Sequence, residues 1–173
     1  AVSFAVLALV CLSRESGQPS GGDQLASGAA FLEKAAAHLP LVQPPAQQIT
    51  RKPQADPRSY QYARLTNGLH VLNVQDEKAM KTAFAMAVQS GSFNDPKEFP
   101  GLAHFCEHML FLGTEKYPKE DDYNEFLAKH AGMSNAYTAD SVTNFYFGVS
   151  PDHFRGALDR FAQFFLQPLF TES

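Results

Sequence analysis

The sequence contains no tryptophan, only two cysteines and no basic run, and the last two shortages narrow what the chain can do. With 14 Lys and Arg against 18 Asp and Glu the net charge is −4, which excludes the basic footprint of a nucleic-acid binder. Charged residues make up 18% of the chain and hydrophobic ones 45%, so disorder is excluded as well. Cys11 lies in an N-terminal apolar run and Cys106 near the middle, which argues against a disulfide framework and for reduced thiols. Long apolar stretches are also missing. Residues 1–13 are apolar for about a dozen positions, too short to cross a bilayer. That length suits the apolar part of a secretory signal or, equally, a buried strand or helix end. No Met and no basic residue precede the run, so the chain is expected to be cut or incompletely read at its start. No internal repeat is present. The 15 phenylalanines that stand in for tryptophan suit a Phe-rich core.

A length of 173 residues fits one domain with a real core. Residues 14–28, rich in Ser, Gly and Gln, read as a flexible linker, and 29–39 as a short helix stopped by Pro40. Further prolines at 44, 45, 53 and 57 continue a loop-like approach, so residues 1–59 divide from a folded part, 60–173, that begins near Tyr60. There the pattern changes. Residues 60–65 and 69–75 flank Asn67-Gly68, a strong hairpin signal, and 81–89 alternate large with small side chains as a strand does. Helices are expected over 101–113, closed by Gly113, and over 119–131, ended by Gly132. Strands follow at 133–139 and 143–149, then a helix from Pro151 to about Gln167 with Phe154, Leu158, Phe161 and Phe165 on its core face. This order indicates an α+β fold with a mostly antiparallel sheet packed against helices. The acidic turn Glu120, Asp121 and Asp122 reads as solvated, and His38, His70 and His153 as ordinary exposed or edge residues.

The chemistry concentrates in His104-Phe105-Cys106-Glu107-His108. On a helix the two histidines, four apart, share one face, and Glu107 shares it three residues after His104. Two imidazoles on successive turns can hold one Zn²⁺, and an adjacent carboxylate can take a proton from a water the metal polarises. The order reverses the commoner His-Glu-x-x-His and is that of the inverzincins. The segment 101–113 is otherwise apolar all round, which predicts a buried helix. Buried imidazoles and a buried carboxylate then need a metal, or the alternative of satisfied core histidines with an ion pair. Cys106 lies off the histidine face and reads as a packing residue.

Beyond the motif, the runs Arg64-Leu-Thr-Asn-Gly-Leu-His-Val-Leu72, His104-Phe-Cys-Glu-His-Met-Leu-Phe-Leu-Gly-Thr114, Lys116-Tyr-Pro118, Ser134-Asn-Ala-Tyr-Thr138 and Gly156-Ala-Leu-Asp-Arg-Phe-Ala-Gln-Phe-Phe165 stand in order. Together they resemble the insulysin branch of the pitrilysin, or insulinase, zinc metallopeptidases, from about Tyr60 onward. The resemblance implies His104 and His108 as zinc ligands and Glu107 as general base. It further implies that Ser134, Asn135, Ala136 and Tyr137 form an edge strand to which peptide adds, with Phe111 lining an adjoining apolar pocket. It implies an incomplete first domain, with a third ligand, a Glu, beyond Ser173 and further domains of the same chain beyond that. Peptide substrates, homo-oligomers and a cytoplasmic location are implied too, the last at odds with a secretory reading of the apolar start. The function expected is hydrolysis of short peptides in the complete enzyme. The alternative is a non-catalytic peptide- or metal-binding fragment, because two histidines alone hold zinc weakly.

Overall fold

The computed structural model describes residues 6–12, 47–49, 51–65 and 67–170. The linker at 14–28 and the helix expected over 29–39 lie outside the described residues. Strands β1 (Val6–Leu12), β2 (Gln47–Gln48), β3 (Ser59–Arg64), β4 (His70–Gln75), β5 (Thr82–Val88), β6 (Met133–Thr138) and β7 (Thr143–Val149) form one sheet, ordered β2-β3-β4-β1-β5-β7-β6. Every pairing is antiparallel except that of β1 with β4. The α+β architecture is therefore the one the sequence indicates.

The sheet begins earlier than Tyr60, however. The apolar run supplies β1, which lies between β4 and β5, and β2 pairs with β3. A short β-prone apolar run looks the same in sequence whether it ends as a strand or as the apolar part of a signal. The Asn67-Gly68 hairpin joins β3 to β4 as expected, with the Leu65 N–H donating to the Leu69 carbonyl at 2.8 Å.

Among the described residues three helices, α1 (Leu102–Met109), α2 (Asp122–Lys129) and α3 (Phe154–Leu166), meet the β5-β7-β6 end of the sheet. Strand alternation puts Phe84, Phe145, Phe147 and Val149 on the helix side, where all four are buried. The rings interlock: Phe161 of α3 lies 5.1 Å from Phe84 and 5.3 Å from Phe147, and Tyr123 of α2 lies 4.9 Å from Phe164. The expected Phe-rich core is thus real, and Phe154, Leu158 and Phe161 belong to it with Phe165 packed alongside.

Helix ends differ from the sequence reading in instructive ways. α1 stops at Met109, and Gly113 takes its left-handed φ of 96° only after a further irregular turn. α2 stops at Lys129, and it is Ala131, not Gly132, that adopts positive φ (53°). Gly132 is needed for another reason. A Cβ there would come within 2.8 Å of the Gly148 carbonyl oxygen on β7, so the bend can lie against the sheet only without a side chain.

The acidic turn is not simply solvated. Asp122 accepts from Arg160 Nε at 2.6 Å, while the Arg160 guanidinium lies over Tyr117 and Phe126 at 4.3 and 4.1 Å. His153 is half-buried, stacked on His130 with ring centroids 3.6 Å apart and with Nδ1 3.0 Å from Ser150 Oγ. His70 is likewise half-buried, its Nδ1 2.5 Å from Tyr62 Oη.

Candidate active site

α1 carries the motif and is held at its start. Gly101 and Ala103 donate their N–H groups to the two oxygens of Asp95, at 2.7 and 2.8 Å, so one carboxylate satisfies two free donors of the first turn. Gly91, at the head of the same loop, lies so close to the turn after β6 that a Cβ would sit 2.1 Å from the Ala139 carbonyl oxygen. Ser92 and Phe93 donate backbone N–H groups to Ala139 and Asp140 at 3.0 and 2.9 Å. The loop thus binds both the start of α1 and the end of β6.

Helical spacing then brings the motif together. His104 and His108 approach with Nε2 atoms 3.0 Å apart and ring centroids 4.7 Å apart. Two imidazoles on one tetrahedral zinc, each at 2.0–2.1 Å, would have nitrogens about 3.3 Å apart, so the pair fits as two ligands of one ion. Among the described residues no cluster of three or more His, Cys, Asp and Glu side chains is gathered to hold a metal. Glu107 is buried, with 6% of its surface exposed, and its Oε2 accepts from Thr138 Oγ1 at 2.5 Å.

α1 itself is not buried as its composition predicts. Glu107 is its one buried residue, and Phe105 is 62% exposed. The reason is one-sided packing: among the described residues α1 meets β6, β7 and the turn Ser92–Asn94. An apolar circumference makes burial favourable but supplies nothing to cover it. Cys106, expected to pack, is exposed and free.

The remaining predicted residues divide by strand alternation. Ser134, Asn135, Ala136 and Tyr137 lie on β6, which among the described residues pairs only with β7 and forms the sheet edge. Asn135 and Tyr137 are exposed, whereas Ser134 and Ala136 are half-buried and share the helix-facing side with Thr138. Phe111 is held among aromatic rings, 5.1 Å from Phe164 and 6.2 Å from Tyr123 and Phe145. It also borders a small cleft lined in part by Tyr117, Tyr123 and Arg160. Thr138 and Asp95 were not picked out by the sequence. Thr138 closes the Ser134–Thr138 run, where alternation puts it on the α1 side, and Asp95 stands too far ahead of α1 to resemble a cap.

Residues 70–173 match the family described as Insulinase (Peptidase family M16). The chain is 56% identical over 125 residues to human insulin-degrading enzyme, covering 72% of this chain and 12% of that protein. It is 53% identical over 120 residues to a Schizosaccharomyces pombe protein named as a zinc protease, covering 69% of this chain and 12% of that one. The crystal structure of pitrilysin superposes with a TM-score of 0.69 at 42% identity, covering 75% of this chain and 14% of that one. The chain thus spans about an eighth of the length of the curated relatives it matches. An inverted histidine motif beside an edge strand, and matches to the same family in sequence and in fold, lead to one conclusion: this chain belongs to the insulinase family, peptidase family M16.

Proposed function

We propose that the chain is the beginning of the catalytic domain of a zinc metalloendopeptidase of the insulysin type. The observation that carries this reading is the convergence of His104 and His108 Nε2 at 3.0 Å, on the helix whose one buried residue is Glu107. In this reading His104 and His108 hold zinc. When bound, zinc acidifies water and polarises a peptide carbonyl. Glu107 takes a proton from the attacking water and returns it to the leaving amine. Ser134, Asn135, Ala136 and Tyr137 receive the substrate backbone along the open side of β6, a mode in which backbone hydrogen bonds give affinity without demanding a sequence. Phe111 contributes an apolar wall beyond the second histidine.

The share of each relative that the chain spans, and the two-histidine donor set, support a second reading. In it the chain by itself is a peptide- or metal-binding piece without turnover, and the third ligand and further domains come from elsewhere in the protein.

The test uses zinc titration against a chromophoric chelator and hydrolysis of an internally quenched peptide, for this chain and for a longer protein that contains it. Zinc uptake should be lost in His104→Ala and His108→Ala. Glu107→Gln should keep zinc and lower turnover by about 100-fold or more, the usual contribution of a general base. Turnover unchanged in Glu107→Gln would refute the catalytic role, whereas zinc uptake with no turnover in either protein would favour the binding piece.

A further inference from the structure

Glu107 is joined to the sheet by a run of hydroxyls whose direction can be worked out. Thr143 Oγ1 lies 2.8 Å from the Ser90 carbonyl oxygen, an atom that can only accept. A hydroxyl has one hydrogen, so that of Thr143 is committed to Ser90. Thr138 and Thr143 are cross-strand partners, with hydroxyl oxygens 3.3 Å apart. Thr138 also has one hydrogen and two acceptors within reach: Thr143 Oγ1 at 3.3 Å and Glu107 Oε2 at 2.5 Å. The shorter contact is the stronger, and 3.3 Å lies beyond the ordinary range of an O–H···O hydrogen bond. Thr138 therefore donates to Glu107, and the commitment of Thr143 to Ser90 leaves it no competing donor to meet.

The geometry points to Thr138 as a positioning residue for Glu107, an inference that rests on the proposed role of Glu107 as general base. Its hydroxyl holds Oε2 and leaves Oε1, which makes no hydrogen bond among the described residues, to receive the proton. The support behind Thr138 is rigid. Thr143 is buried on β7, Ser90 follows β5, and the loop from Gly91 to Asp95 binds both the turn after β6 and the start of α1. Strand and helix are thus fixed to each other at both ends of the Glu107–Thr138 contact. One side chain of the edge strand orients the carboxylate while its neighbours Asn135 and Tyr137 stay exposed for peptide.

Two variants separate this from a merely structural role. Thr138→Val keeps the shape and removes the hydroxyl; Thr138→Ser keeps the hydroxyl and removes a methyl group. Crystal structures of both variants of this chain read the position of the Glu107 carboxylate directly. The expected result is a displaced carboxylate in Thr138→Val and an undisturbed one in Thr138→Ser. In the zinc-loaded longer protein, Thr138→Val should lower kcat by about 10- to 100-fold, the usual cost of losing a residue that orients a metal-site group, with zinc affinity and KM within about twofold. Thr138→Ser should restore kcat. An unmoved carboxylate, an unchanged kcat or failure of Thr138→Ser to restore it would each overturn the inference. If instead Glu107→Gln were as active as the parent, the general-base reading would fail, while the crystallographic result would still decide whether Thr138 orients the carboxylate.

Discussion

Two halves of the helix layer are built on different physical terms. α2 and α3 bury interlocking rings against β5 and β7, and Phe161 is only 1% exposed. α1, which carries the candidate site, buries one residue, Glu107. Apolar burial fixes the first half. The second is fixed by polar contacts at defined points: Asp95 at the start of α1 and Thr138 at Glu107. Stability and site geometry are therefore separable, and substitutions should expose the seam.

The largest effect is expected in the core. Phe161→Ala removes a ring in contact with Phe84, Phe147, Phe164 and Phe165, and should cost about 3–5 kcal/mol in denaturant unfolding. Asp95→Ala leaves two first-turn N–H groups without their acceptor, and should cost about 1 kcal/mol. Its sharper sign is faster amide exchange at Gly101 and Ala103, with the α3 amides unaffected. Asp95→Asn, which keeps one acceptor oxygen, should fall between.

A pH effect comes next and belongs to the α2–α3 side. Burial first, then repulsion from His153, Lys129 and Arg160, lowers His130 below its ordinary value of 6.5. Above that value the imidazole is neutral folded and unfolded, and the full stability is present. As pH falls below 6.5 the unfolded chain takes the proton first, so stability declines until the folded imidazole is protonated as well. Melting temperature between pH 8 and 5 should therefore fall less steeply in His130→Gln than in the parent. The smallest effect should be that of Phe105→Ala on α1. The side chain is mostly exposed, so unfolding should move by no more than about 0.5 kcal/mol. A loss close to that of Phe161→Ala would mean that α1 is supported by apolar packing after all.

What was legible in sequence follows the same division. Phe145, Phe147 and Phe161 announce their elements by period, and a period of 2 or 3.6 with apolar residues on one side needs no partner to be recognised. His104, Glu107 and His108 announce theirs by local spacing. Contacts between residues distant in sequence were not legible. Thr138 reaches Glu107 across 31 positions, and Asp95 caps α1 across a loop. The exposure of α1 is hidden from composition for the same reason, since composition describes a surface and not its neighbours. Gly132 shows a subtler failure. In sequence it looks like a helix stop, whereas the close approach of β7 and Leu127 is what leaves no room for a side chain.

The open flank of β6 has a consequence for behaviour in solution. Met133–Thr138 contains no lysine and no proline, the residues that commonly guard an edge, and Met133 and Tyr137 are exposed along it. Among the described residues nothing pairs with the outer side of β6, so on the proposed reading a second copy of the chain is as eligible a guest as a peptide. On the reading that β6 receives peptide, occupancy of the edge by peptide should fall as the chain is concentrated, by mass action alone.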